Sequence, residues 1–242
     1  HSMGGLVARD FIFRNPKLWQ ELNTRPNFRF LMLGTPWLGS YRIPYVLAGK
    51  DSMVKLLGKI DFQHAVDELI DMFAKYPGLL NLMPVHEGSH DFSRSETWKQ
   101  FQQASGLQYN MPDPATLQEF ATFRQFVQSN SHKIDFKNVV YVAGKDDNTP
   151  AGYRIDARGQ LEFAGTGEGD QSVTWATGIP SGIDRDTSLY FTSVTHGGLA
   201  NDASLFKGIL EILQKGGTNQ FVRKPKLIPP KKRSFVLNDT RV

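Results

Sequence analysis

His1-Ser2-Met3-Gly4-Gly5-Leu6-Val7-Ala8-Arg9 opens the chain and decides how the rest is read. A serine followed after one residue by two glycines, and then by an apolar helical pattern, fits a sharp strand-to-helix turn. Such a turn holds Ser2 in a strained backbone conformation and projects its hydroxyl past the sheet edge. Glycine near the turn avoids a Cβ clash between the helix and neighbouring strands. The Met3 amide then sits at a helix N-terminus, where it can donate to a developing oxyanion. A complete turn of this kind has a glycine immediately before His1, so the sequence is expected to be part of a longer protein.

Outward from the turn, Leu6–Arg14 reads as a helix with Leu6, Val7, Phe11 and Phe13 on its apolar face, ended by Asn15-Pro16. A short amphipathic piece follows at Lys17–Leu22. Phe28–Leu33 is a mostly apolar run stopped by Gly34-Thr35-Pro36, the pattern of a buried parallel strand ending at an active-site edge. The loop Gly34–Ser40 is expected to line the site, and Thr35, Pro36, Trp37 and Leu38, with His1, are the candidate substrate contacts. From Tyr41 to Lys137 the strand pattern disappears. Met53–Ile60, His64–Lys75, Ser95–Ser105 and Ala115–Gln128 carry helical spacing, with Asp113-Pro114 as a start signal for the last. Nearly 100 residues of helix and loop between two strands predict a cap insertion.

Val139–Ala143 is the next strand, and Tyr153–Ile155 with Leu161–Phe163 flank a Gly-containing turn as a hairpin. Gly165–Trp175 is a Gly-rich acidic loop. It has no Lys-Ser/Thr ending and opens no helix, which argues against a nucleotide cradle. Leu189–Val194 is the last strand. Asn201–Gln214 is a final helix with Leu205, Ile209, Leu210, Ile212 and Leu213 as its stripe, ended by Gly216-Gly217.

Composition narrows the function classes. The 242 residues are 40% hydrophobic, enough for one sizeable core, and no apolar run is long enough to span a bilayer. With no cysteine, disulfide scaffolds, Cys-ligated zinc and thiol catalysis are excluded, and a reducing, cytoplasmic location is expected. The net charge is +4, but eight Lys/Arg against Asp239 from Lys215 onward put +7 in the tail and leave −3 on residues 1–214. The body is therefore not a nucleic-acid surface. The Pro- and Lys-rich stretch 218–242 reads as a linker or tail, with peripheral membrane contact as a salt-sensitive alternative.

Acyl transfer needs a nucleophile, a base for its proton and an acid that orients the base. Ser2, Asp170 and His196 occur in the order Ser…Asp…His, each expected near a strand's carboxyl end. His196 follows the last strand, whereas His1, His64, His86, His90 and His132 fit worse as the base. For the acid, Asp146 and Asp147 stand beside Asp170 as alternatives because they follow strand 139–143 directly. Glu168, Asp170 and His196 could be read as metal ligands, but no His-x-x-His or Glu-x-x-His spacing among them supports this, and no cofactor is expected.

These residues carry a resemblance. His-Ser-Met-Gly-Gly-Leu-Val-Ala-Arg resembles the nucleophile elbow of α/β-hydrolase lipases. Gly-Thr-Pro-Trp-Leu-Gly-Ser at 34–40 and Tyr-Pro-Gly-Leu-Leu-Asn-Leu-Met-Pro at 76–84 resemble segments of lecithin:cholesterol acyltransferase-like lipases. Gly-Asp-Gln-Ser-Val-Thr-Trp at 169–175 is similar to their Gly-Asp-Gly-Thr-Val acid loop, and Val-Thr-His-Gly-Gly-Leu at 194–199 to their histidine segment. The likeness spans residues 1–214 and extends to bacterial lipase-like domains attached to caspase-like (CHAT) domains.

It implies an α/β-hydrolase fold, a parallel sheet flanked by helices with a helical cap: core at 1–40 and 138–217, cap at 41–137, tail at 218–242. It favours Asp170 as the acid and implies ester hydrolysis or acyl transfer on a small ester or lipid through acyl-Ser2. The Met3 amide is the oxyanion donor within the sequence, because the family's oxyanion loop precedes the elbow; the chain by itself is expected to be impaired for that reason. Gln171 departs from the family's glycine, which a negative φ there would accommodate. The rival reading is a catalytically silent, hydrolase-like interaction module of a multidomain protein.

Overall fold

The computed structural model describes residues 1–51, 66–74, 76–85 and 90–225, with the side chains of 66 and 67 left aside. The helix expected at Met53–Ile60, the start of that at His64–Lys75, His64, His86 and the tail from residue 226 lie outside the described residues. The chain is mixed α/β and divides into two compact units. The first holds His1–Leu38, Val127–Thr149 and the described residues from Thr166 on; the second holds the described residues of Gly39–Phe126 and Pro150–Gly165.

In the first unit, α1 (Gly4–Arg14) and α2 (Pro16–Thr24) meet at Asn15, whose side chain returns to the Phe11 carbonyl, while Pro16 starts α2 where its missing N–H costs nothing. The sheet is three parallel strands in the order β1 (Phe30–Leu33), β2 (Val139–Ala143), β5 (Leu189–Phe191). Phe30 pairs with Val139 and Ala143 with Phe191, so all three carboxyl ends lie at one edge of the sheet. Every β2 residue is buried, as expected of a central parallel strand. Its side chains alternate. Val140 and Val142 join Tyr190, Leu199, Leu205, Ile212 and Phe221 in one core, whereas Tyr141 reaches the Thr35 carbonyl. After the short α8 (Trp175–Gly178), the last helix, α9 (Ala203–Lys215), is capped by Asp202, whose carboxylate accepts from the Ser204 amide, and ends at Gly216 in the left-handed conformation. Beyond it Phe221 is buried, Val222 bridges to Phe191, and the Arg223 guanidinium lies 3.8 Å from the centre of the Tyr190 ring. The stretch read as a linker thus begins packed into this unit.

Among its described residues the second unit is helical except for one hairpin. Its helices are α3 (Arg42–Leu47), α4 (Val66–Ala74), α5 (Pro77–Leu80), α6 (Ser95–Ser105) and most of α7 (Pro114–Ser131). Asp113 starts α7 by accepting from the Thr116 amide. β3 (Thr149–Ile155) and β4 (Leu161–Thr166) form the hairpin, whose Tyr153 and Phe163 join Leu47, Ile70, Trp98 and Phe101 in the core. Phe92 sits edge-on to both Trp98 and Phe101 at 5.3 and 5.4 Å between ring centres, the arrangement that aromatic quadrupoles favour.

Three sequence expectations need correction. On α1 the buried residues are Gly5, Leu6, Arg9, Ile12 and Phe13, while Val7 and Phe11 are exposed. Arg9 takes an inward position because its stem packs while its head finds a carbonyl. On α9, Leu210 and Leu213 are exposed, and Gly208 lies inward because a Cβ there would meet the Phe221 ring at 2.4 Å. The first and last strands are shorter than their apolar runs. β1 ends before Gly34 as expected but begins only at Phe30, and β5 ends at Phe191 rather than Val194.

Candidate active site

Ser2 has φ +52, a left-handed conformation that an L residue other than Asn or Asp seldom adopts. Its amide donates to the Leu33 carbonyl at the end of β1 (3.0 Å), and Gly4 and Gly5 close the turn onto the carbonyls of His1 and Ser2. Gly5 is the glycine this turn requires: a Cβ there would stand 2.1 Å from Thr35 Oγ1, whereas one on Gly4 meets nothing within 4 Å. No hydrogen bond among the described residues engages the Met3 amide at the head of α1.

Asp170 sits at the carboxyl edge of β2, where a Cβ on Gly144 would come within 2.9 Å of its own Cβ. It is 2% exposed, and Oδ1 accepts from the amides of Ser172 (3.0 Å) and Val173 (2.7 Å). That leaves Oδ2 for His196 Nδ1 at 2.8 Å. A carboxylate only accepts, so Nδ1 carries the hydrogen and the Nε2 lone pair faces Ser2 Oγ, also at 2.8 Å. Both ring nitrogens are therefore taken by Ser2 and Asp170. Asp146, one of the two rival acids, instead turns its Oδ1 to the Asn148 amide.

The acid loop is a tight hairpin in which the Asp170 amide donates to the Val173 carbonyl and Gly169 bridges to Thr174. Gln171, at the first position of its tip, has φ +84, so the negative φ that would accommodate a residue other than glycine is not what the loop adopts. Short hairpin loops need a left-handed residue, usually glycine, because only that twist matches the paired strands. Here the Gln171 amide donates to Thr149 Oγ1 at 2.8 Å, which helps to hold the strained residue.

Of the expected substrate contacts, Thr35, Pro36 and Trp37 are buried and Leu38 is half-buried. The Thr35 carbonyl accepts from Tyr141 Oη, and Trp37 packs edge-on to Phe13 and Phe136. Arg9 donates to the Trp37 carbonyl and lies over its ring, and burial pulls this guanidinium down to about 10. The loop after β1 is thus held from beneath by α1. The structure brings His1, by contrast, to His196, with the rings 4.9 Å apart.

Sequence reasoning placed Gly34 only as the start of the loop lining the site, and missed Tyr141 and Thr149. A Cβ on Gly34 would stand 2.8 Å from Asp170 Oδ2 and 3.2 Å from His196 Nδ1, so the site closes only over a glycine. Burial, and then the Asp170 charge, push the Tyr141 phenol well above its ordinary range, which keeps it a donor to Thr35. A lone phenol among the aliphatics of 139–143 was the available signal; Thr149 had none.

Among the described residues no group of three or more His, Asp or Glu is placed to hold a metal, and no helix is long and apolar enough to cross a membrane. A cavity of about 690 Å³ in the helical unit is lined by Glu68, Asp71, Gln102 and Tyr109 among others, and none of Ser2, Asp170 or His196 lines it. No protein-family model and no curated protein matches the chain.

Proposed function

We propose that the chain is a serine hydrolase of the α/β-hydrolase type that cleaves carboxylic esters, or transfers their acyl groups, through an acyl-Ser2 intermediate. The observation that carries this reading is the unbroken relay from Ser2 Oγ to His196 to Asp170, with 2.8 Å at each side-chain step. In this reading the second unit's helices, inserted between β1 and β2 in the chain, serve as the cap.

His196 Nε2 takes the proton as Ser2 Oγ bonds to the ester carbonyl carbon. The carbonyl π electrons move onto oxygen, and that oxyanion accepts from the Met3 amide, a donor of the kind worth ~10²–10³ in rate. Asp170 holds the imidazolium through Nδ1–H. As the tetrahedral species collapses, the C–O bond to the alcohol breaks and the alcohol leaves with the proton from Nε2. Water or a second alcohol then repeats the steps on acyl-Ser2, with His196 again as the base. A small ester or lipid is the substrate class, and the elbow, acid-loop and histidine-loop motifs support it by resemblance.

The test is a fluorophosphonate probe applied to the full-length protein, followed by mass spectrometry of the Ser2 peptide. The expected result is one adduct on Ser2, absent in His196→Ala. Folded protein that leaves Ser2 unmodified refutes the reading and favours a silent interaction module.

A further inference from the structure

The base is gripped through its main chain as well as its ring. The His196 amide donates to the Asp170 carbonyl at 2.7 Å, and the His196 carbonyl lies 3.0 Å from His1 Nε2. A carbonyl only accepts, so that His1 nitrogen carries the hydrogen. The acid's own residue therefore holds one end of the base's peptide, and the nucleophile's neighbour holds the other. The His1 ring also sits against that of His196, tilted by 39°.

We infer that His1 is a positioning residue that locks His196 onto Ser2, and that it does so through the base's backbone rather than by touching substrate. The inference rests on the hydrolase reading above for its kinetic consequence, though the contact itself does not.

The physical need arises within the proposed cycle. While Ser2 is free, two side-chain hydrogen bonds hold the ring. Once Ser2 Oγ is acylated it has no proton to give, and the ring keeps only its bond to Asp170. A ring tethered at Nδ1 alone can swing about its side-chain torsions, and misplacement by about 1 Å can lower a rate ~10²-fold. The sequence after His196 does little to stop this, because the 3₁₀ turn that His196 begins continues with the small residues Gly197 and Gly198. The His1 clamp joins that turn to the elbow, and the tilted ring limits motion on one side. His1 precedes Ser2 directly, so the left-handed turn that presents the nucleophile also aims the clamp.

Two variants separate the donor from the ring. His1→Phe keeps a flat ring and removes the N–H; His1→Gln restores an N–H donor without the ring. Turnover of p-nitrophenyl butyrate should fall about tenfold in kcat with H1F while KM stays within about twofold, as loss of one hydrogen bond predicts. H1Q should recover most of that loss. A rise in KM with kcat unchanged overturns the proposal in favour of a substrate contact.

The second readout needs no activity. The low-field proton of His196 Nδ1–H should be sharp in the wild type and in H1Q, and broadened in H1F whose circular dichroism is unchanged. An H1F spectrum identical to wild type overturns the clamp. Wild-type protein with the sharp resonance lost in H1F, but with Ser2 inert to the fluorophosphonate, leaves the clamp standing and refutes the hydrolase reading instead.

Discussion

Replacing Gly34 by alanine places a methyl group where the nucleophile, acid and base segments converge. Gly34 has φ +54, and its Cβ would stand 2.6 Å from Leu199 Cδ1 and 2.8 Å from Asp170 Oδ2. The left-handed backbone costs an L residue about 1–2 kcal/mol, and forcing a methyl into a packed site adds about 1–3 kcal/mol. Gly216→Ala is the control within the same unit. Its φ is +81, but the nearest atom to a Cβ is Arg29 Nε at 3.0 Å, the end of a flexible side chain that can give way. Gly216→Ala should therefore lose only the backbone term, and Gly34→Ala should be less stable than it by about 1–3 kcal/mol. Urea unfolding followed by tryptophan fluorescence, to which Trp19, Trp37 and Trp175 contribute from that unit and Trp98 from the other, measures both variants, with equal slopes as the check on two-state behaviour. The low-field Nδ1 proton of His196 should also disappear in Gly34→Ala. Equal destabilisation of the two variants, with that resonance intact, would refute the claim that the site closes over Gly34.

Asp170→Asn cannot turn its amide toward the donors of Ser172 and Val173, so the NH₂ must face His196, forcing Nδ1 to accept and Nε2 to carry the hydrogen. Labelling of Ser2 should slow ~10⁴-fold, and a loss under tenfold contradicts the relay. Gln171→Gly relieves a left-handed residue at φ +84 and should stabilise the protein by about 0.5–1 kcal/mol after the entropy of glycine is deducted, so a less stable variant counts against that strain. Burial raises the Tyr41 phenol to about 12, and burial also leads the upward shifts of Tyr45, Tyr109, Tyr141 and Tyr153. A phenol with a raised folded value contributes stability that is complete below its ordinary value of 10.0 and is lost as pH rises through the folded value. Tyr41 alone accounts for about 3 kcal/mol of that loss. Absorbance at 295 nm should then rise in one step with the collapse of circular dichroism, and ionisation of these phenols in folded protein would contradict it.

Much of the site was legible because its parts are local. The small residues after Ser2, the Gly-Asp run and the Thr-His-Gly-Gly run each mark a chain reversal, and their order in the sequence is independent of distance. What brings Asp170 and His196 together is not local. The β1–β2–β5 register carries the ends of three strands to one edge, and the two loops then meet through the His196 amide and the Asp170 carbonyl. The helix faces were misread for a related reason. Periodicity identifies an apolar stripe but not which flank of it is covered, so Val7, Phe11, Leu210 and Leu213 were assigned inward.

The amino-acid sequence by itself determined the alternation of helix and strand, the turn at Ser2 and the order of three chemically apt residues, because capping, glycine and periodicity act over a few residues. Only the tertiary structure decided that Gln171 is left-handed, that Gly5 and Gly34 are the glycines with no room for a side chain, and that His1 reaches the backbone of His196. Each of these depends on what a residue meets from a distant part of the chain, and close packing makes that answer specific to within a methyl group.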